Sequence, residues 1–105
     1  MMAAIELPTG AFLGAYRFDG DPEELLAAHD RLMAGFPPDM IEFHVCIARP
    51  DGITIFDACP DEATFAGFST SPEFRGALEG VGLPEPTVER LGVIHDARSK
   101  VGDSD

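Results

Sequence analysis

The amino-acid sequence predicts a single α+β domain whose strands and helices follow the order βαββαβ. Three observations support this fold class: alternating apolar residues in four short runs, helix starts marked by capping residues and proline, and a tight turn at Pro50-Asp51-Gly52. A chain of 105 residues is expected to form one domain and to bury a core without a disulfide or metal. We expect the ordered core to span about residues 10–96, with loose ends on both sides.

A first strand is predicted over residues 10–18 from the alternation of large apolar side chains. Phe12, Tyr16 and Phe18 fall on one face of this strand. Tyr16 is the only tyrosine of the chain, and it is a candidate catalytic residue that donates a hydrogen bond to a substrate carbonyl or phenolate. The alternative is a core aromatic residue whose hydroxyl reaches the edge of the core.

A first helix is predicted from Asp21 to about Gly35. Asp21 suits the N-cap, Pro22 the first helical position, and Gly35 a left-handed residue at the C-terminus. His29 lies within the apolar stripe of this helix, so helical spacing directs it towards the sheet. It is a candidate substrate-binding residue, and the alternative is a half-exposed histidine between stripe and solvent.

The second and third strands, residues 41–49 and 53–59, are predicted to form a hairpin. Pro50-Asp51-Gly52 suits a type I turn followed by a glycine bulge, which places Arg49 opposite Ile53. A two-residue loop at Asp51-Gly52 is the alternative, and it shifts the pairing by one residue. The register matters because a shift of one moves every side chain of a strand to the other face.

In the first register, His44 shares a face with Cys46 and Phe56. A neutral imidazole at His44 is a candidate catalytic group for proton transfer from an acidic carbon or a phenol, because its pKa lies near working pH. Small neighbours leave room for a ligand there, so Cys46 and Phe56 are candidate substrate-binding residues. The alternative for His44 is a hydrogen-bonded histidine at a subunit interface.

Asp57 falls on the opposite face in this register, facing Val45. A carboxylate among apolar side chains must be paired or have a raised pKa. It is therefore a candidate general base, or the ion-pair partner of Arg17 or Arg90, which is the favoured alternative. Cys46 and Cys59 are expected on opposite faces, and no metal site is predicted because no ligand motif accompanies the histidines.

The second helical region is predicted in two pieces. The first covers residues 61–68, and Ser71 and Pro72 then restart the helix as cap and first helical residue. Gly82 ends the second piece, and a last strand is predicted over residues 87–95. The resulting order is that of the ferredoxin-like plan, with four antiparallel strands and the helices on one face.

The central hairpin is apolar on both of its faces, so the sheet face without helices needs a cover. A homodimer that stacks sheet on sheet provides one.

Three segments of the sequence have the residue pattern of a known family: residues 43–49 with Asp51-Gly52, residues 61–65, and residues 71–75 with Gly82-Leu83-Pro84. Through them the sequence resembles the dimeric α/β-barrel superfamily, which includes the antibiotic-biosynthesis monooxygenase-type domains. The resemblance implies a small-molecule ligand in the cavity between helices and sheet. It also implies oxygenation, isomerisation or cyclisation of an aromatic or polyketide-like compound. No nucleotide or metal motif is present, so a cofactor-independent enzyme is one hypothesis, and a non-catalytic ligand-binding or accessory domain is the other.

The charge excludes two classes of partner. The chain has 19 acidic and 7 basic residues, a formal net charge of −12, so no basic stripe exists to bind nucleic acid or an anionic membrane surface. No targeting or membrane-spanning segment is apparent, and two cysteines do not make a disulfide framework. A cytoplasmic location is therefore expected.

Overall fold

The structure is a computed structural model that describes residues 9–36 and 43–98. The predicted start of the second strand, at residues 41 and 42, and most of the predicted loose ends lie outside these described residues. The described elements are β1 (Phe12–Asp19), α1 (Pro22–Ala34), β2 (Phe43–Arg49), β3 (Gly52–Cys59), α2 (Glu62–Ser69), α3 (Pro72–Val81) and β4 (Thr87–Val93).

The four strands form one antiparallel sheet in the order β2-β3-β1-β4. The core lies between the helices and one face of this sheet. Phe18, Ile53 and Phe65 are fully buried there. The predicted ferredoxin-like α+β fold is therefore confirmed. Within the described residues, no helix is long and apolar enough to span a membrane.

The helices begin where the capping residues predict. The side chains of Asp21, Asp61 and Ser71 each accept a hydrogen bond from the backbone N–H three residues later. That bond lowers the pKa of the Asp61 carboxyl below its usual value. Pro22 and Pro72 occupy the first helical positions, as expected.

The two helix-ending glycines behave differently. Gly82 caps α3 in the left-handed conformation, with φ of 90°. Gly35 caps α1 with φ of −93°, so the expectation of a left-handed residue there is wrong. The last turn of α1 instead tightens, because the N–H of Gly35 donates to the carbonyl of Leu32, three residues back.

The hairpin register differs from the predicted one. Arg49 pairs with Gly52, not with Ile53, so the loop consists of Pro50 and Asp51. Gly52 does not have the positive φ of a bulge glycine. It is needed for close approach, because a methyl group at Gly52 would overlap the carbonyl oxygen of Phe18 and the Arg49 guanidinium. That guanidinium donates hydrogen bonds to the carbonyls of Phe18 and Ile53 and fixes this end of the hairpin.

The corrected register changes which side chains share a face. His44 lies opposite Asp57, where the prediction placed Val45. Paired residues of neighbouring strands point to the same face. His44 and Asp57 therefore both face the helices, with Tyr16 of β1, whereas Phe56 faces away. Cys46 and Cys59 lie on the same face, not on opposite faces, and both pack against the core.

Candidate functional site

Asp57 carries a buried carboxylate in the middle of the sheet, with a side chain only 8% exposed. Its Oδ1 lies 2.6 Å from Nδ1 of His44 on the neighbouring strand, a short hydrogen bond. The favoured ion pair with Arg17 or Arg90 is wrong, because each of these arginines contacts an exposed acid elsewhere. The one-residue change in register is the reason, since it brings the imidazole onto the carboxylate.

The hydrogen-bonded chain continues from β2 into α1. Nε2 of His44 lies 2.9 Å from Nε2 of His29, and the two rings are nearly parallel. Nδ1 of His29 lies 3.1 Å from Oδ1 of Asp30, whose side chain is 79% exposed. Three consecutive hydrogen bonds therefore connect a buried carboxylate to a carboxylate in solvent.

Tyr16 presents a buried hydroxyl next to this chain. Its ring packs against the rings of Phe65 and Phe74, and the residue is only 2% exposed. Its hydroxyl makes no hydrogen bond with any residue that the structure describes. Burial, and then the nearby Asp57 carboxylate, raises the pKa of Tyr16 well above its ordinary value. The phenol is thus a neutral hydrogen-bond donor beside the carboxylate of Asp57.

Tyr16, His44 and Asp57 line one cavity between the helices and the sheet. The remaining wall is apolar, formed by Phe18, Leu32, Met33, Phe36, Ile55, Phe68, Phe74 and Leu78. The free space is about 20 Å³, which is room for about one water molecule. Met33 and Phe68 are half-buried, so a larger ligand would have to displace such side chains on the solvent side.

The other predicted site residues, His29, Cys46 and Phe56, do not line this cavity. His29 contacts His44 from α1. Cys46 lies two residues after His44 on β2 and is half-buried. Burial, and then Asp30 and Asp57, raises the pKa of the Cys46 thiol. Phe56 lies on the opposite face of the sheet and is separated from the cluster.

Sequence reasoning missed Asp30 and the apolar wall. In the sequence, Asp30 is one of many acidic residues expected at the surface, and only its position directly after His29 distinguishes it from the others. Met33 and Phe36 belong to the predicted apolar stripe of α1 and thus read as core. Within residues 9–36 and 43–98, no group of three metal-ligating side chains converges on a metal site.

A larger hollow of about 120 Å³ lies on the outside of α3, against residues 83–86. Two of the three charged side chains of this hollow are already engaged, since Arg75 and Glu85 form an ion pair at 3.4 Å. It holds neither a histidine nor an unpartnered buried polar atom. The inner cavity is therefore the candidate site.

The inner cavity combines a proton acceptor with a proton donor. The Asp57–His44 pair can exchange a proton with a ligand, because a carboxylate orients and stabilises an adjacent imidazole. Across the cavity, the neutral phenol of Tyr16 can donate to an oxygen that gains negative charge. Apolar walls strengthen both interactions by excluding water.

Comparison with solved structures finds SnoaB, a cofactor-independent oxygenase from Streptomyces nogalater. The similarity has a TM-score of 0.51 at 15% sequence identity, and it covers 89% of this chain and 96% of the SnoaB chain. No protein-family model and no curated protein sequence matches the chain. At this level of identity the likeness concerns the fold. The chain therefore has a ferredoxin-like α+β fold that is similar to the fold of SnoaB.

Proposed function

We propose that this protein is a cofactor-independent enzyme that removes a proton from an aromatic or polyketide-like compound. The observation that carries the proposal is the buried Asp57–His44 pair, which shares an apolar cavity with the unpartnered hydroxyl of Tyr16. An acid–base pair and an oxygen-binding donor around one cavity are the groups that enolisation or phenol ionisation requires.

Each residue has a distinct role in this proposal. The Asp57–His44 pair accepts the proton that leaves a ring hydroxyl or an acidic carbon. Tyr16 donates a hydrogen bond to the oxygen that gains charge as the proton leaves. Because burial keeps the phenol protonated, Tyr16 stabilises an oxyanion without competing for the proton.

The likeness to SnoaB supports a reaction with dioxygen as one outcome. SnoaB is a cofactor-independent oxygenase with this fold. Loss of a proton from an electron-rich ring gives a carbanion or phenolate, which can react with dioxygen, isomerise or cyclise. The proposed proton transfer is common to these three outcomes, and the substrate decides among them.

A non-catalytic ligand-binding domain is the second candidate function. One observation favours it: both ring nitrogens of His44 already form hydrogen bonds, and the cavity is small in this conformation. Such a domain would bind its ligand through the Tyr16 hydroxyl and the apolar wall and would return it unchanged.

The test uses a panel of polycyclic phenols and their keto tautomers, with a chelator present and no cofactor added. Product formation, dioxygen uptake and quenching of Tyr16 fluorescence are measured together. We expect Asp57→Asn to lower turnover by about 10²–10⁴-fold while binding persists. Arg75→Gln, outside the cavity, is the matched control and should leave both unchanged.

Tyr16→Phe separates the role of the hydroxyl from that of the ring. We expect this variant to fold, because the hydroxyl has no partner among the described residues, and to lose turnover. Its binding is measured by calorimetry, since the fluorescent residue is gone. Binding by the wild-type protein without conversion of any compound would establish the second candidate function instead.

We further propose that a second copy of this chain covers the open face of the sheet. Leu13, Val45, Ile47 and Phe56 point away from the helices, and Ile47 is 44% exposed. A contiguous apolar sheet face of this kind marks an interaction surface. Two copies that stack their sheets would bury the same patch on both sides, as a two-fold interface requires.

A further inference from the structure

The His29–Asp30 end of the hydrogen-bonded chain lies outside the cavity, and the proposed chemistry does not use it. His29 contacts His44 from α1 and does not line the cavity. Asp30 is almost fully in solvent. A general base that has taken a proton must lose it before the next turnover, and burial separates Asp57 from water. The outer two residues connect that buried base to solvent.

We propose that His29 and Asp30 form the outer half of a proton relay between Asp57 in the cavity and solvent. The inference rests on the proposed function and adds a proton path to it. His29 and Asp30 are positioning and relay residues, since neither touches the cavity.

When the hydrogen-bonded chain holds a proton accepted from a substrate, one proton lies in each of the three contacts. A carboxylate can only accept, and an imidazole nitrogen without a proton can only accept. At 2.6, 2.9 and 3.1 Å, an empty contact would set two lone pairs against each other. Two protons in one contact would set two donors against each other. The net charge of the four groups is therefore the same wherever each proton lies within its contact.

When each proton shifts across its contact, one proton is in effect transferred from Asp57 in the cavity to Asp30 at the surface. The O–H bond of Asp57 breaks as an Nδ1–H bond forms on His44. The Nε2–H bond then breaks on His44 and forms on His29, and the Nδ1–H bond of His29 breaks as an O–H bond forms on Asp30. The result is an Asp57 carboxylate, ready to accept a proton, and a carboxyl group on Asp30 that ionises into solvent. Ionisation empties the His29–Asp30 contact, and the Asp30 carboxylate, which is 79% exposed, is then hydrated by water.

Two other titratable groups face this chain. Tyr16 faces Asp57 from β1, and Cys46 on β2 lies within electrostatic reach of Asp30 and Asp57. Burial raises the pKa of both groups. Both therefore stay protonated and neutral at neutral pH, and neither diverts the proton from the path to Asp30.

Asp30→Asn tests the relay without a substrate. An amide at residue 30 can donate to Nδ1 of His29 and keep the contact, but it cannot take up a proton. The chain has three histidines, so the ring N–H signals of His29 and His44 can be resolved by NMR, with exposed His95 as the internal reference. We expect exchange of the His44 ring proton with water to be severalfold slower in Asp30→Asn than in the wild type.

The matched control is Glu23→Gln, which removes one exposed negative charge from the same helix away from the relay. Its exchange rate should equal that of the wild type. Equal rates in Asp30→Asn and Glu23→Gln would overturn the relay.

Turnover on a substrate from the phenol panel separates the relay from the proposed function. Asp30→Asn should lower kcat at unchanged KM, and dissolved imidazole should restore kcat by carrying the proton in place of Asp30. Wild-type kcat and pH profile in Asp30→Asn, with kcat lost in Asp57→Asn, would reject the relay alone. Full turnover in Asp57→Asn would reject the proposed function itself.

Discussion

The Tyr16 hydroxyl is the only buried side-chain polar atom in the described part of the chain that lacks a hydrogen-bond partner. A buried donor without a partner costs about 1–3 kcal/mol of folding free energy. Such a cost persists where function uses the group. At the residue scale, this hydroxyl therefore points to a ligand more directly than the histidines do, because their nitrogens are already satisfied.

The ionisation of Tyr16 gives a prediction at alkaline pH. The folded protein holds the phenol proton more tightly than the unfolded chain, whose tyrosine pKa is about 10. Stability is therefore full below pH about 10 and falls as the pH rises above it. Because the chain has one tyrosine and no tryptophan, tyrosinate absorbance reports Tyr16 alone.

We expect tyrosinate absorbance to appear only together with loss of the circular dichroism signal of the folded protein. A reversible titration near pH 10 with the fold intact would contradict the buried position of Tyr16. Free tyrosine amide in the same buffers is the control for the unperturbed transition.

The direction of a side chain was predictable from the sequence where it depends only on residue spacing within one strand or helix. Tyr16 shares its face with Phe12 and Phe18, and His29 points to the sheet, as expected. The partner of Asp57 was not predictable, because it depends on the pairing of two strands. The register in turn rests on Arg49 and on the close approach of Gly52 to Phe18, contacts that alternation of residues does not reveal.

At the scale of elements, β1 and α2 meet at a contact that only glycine permits. Gly14 lies where the pairing of β1 with β4 shifts, and a methyl group there would overlap the buried ring of Phe65. The same ring packs against Tyr16. This contact sets how closely α2 approaches the sheet beside the cavity.

Gly14→Ala is therefore expected to lower the free energy of unfolding by about 1–3 kcal/mol, because the Phe65 ring must move. Gly76→Ala, on the exposed side of α3 with no atom near its new methyl group, is the matched control. It should raise the free energy of unfolding by about 0.4–1 kcal/mol. Urea denaturation measures both, and an unchanged Gly14→Ala would show that α2 packs less closely than described.

Helices were the most predictable elements. Their boundaries follow capping residues and prolines, which act within one turn, so α1 and α3 begin where expected. Strand positions were also predictable to within about two residues. The hairpin pairing was not, because both candidate turns at Pro50-Asp51-Gly52 satisfy local rules. The structure has a third arrangement, in which Arg49 pairs with Gly52.

For the whole molecule, the order of elements predicted the ferredoxin-like fold, whereas the position of the site required the assembled sheet. The cavity is bounded by residues from β1, β2 and β3 and from each helix, which span residues 16–78 of the sequence. The sequence predicted Tyr16, His44 and Asp57 as separate candidates but expected the last two on opposite faces.

The proposed dimer gives a prediction at this scale. Light scattering should return twice the chain mass of 11.2 kDa for the wild type. Ile47→Lys should return a single-chain mass, because a lysine on the open face would have to lose its hydration against the partner sheet. Glu79→Gln, on the exposed side of α3, changes the charge by the same amount and should remain dimeric. A single-chain mass for the wild type would refute the dimer.

The hydrogen bonds of Arg49 at the turn of the hairpin have a consequence for mutations outside the cavity. Its guanidinium contacts backbone and side chains at the end of the sheet opposite to Cys59, and it forms no hydrogen bond with Tyr16, His44 or Asp57. Yet the strand pairing that starts at this end places the His44 imidazole, and not the Val45 side chain, opposite the Asp57 carboxylate. We therefore expect a mutation at residue 49 or 52 to disturb the His44–Asp57 contact although both residues stay unchanged, so the proposed activity would depend on the turn as much as on the residues proposed to react.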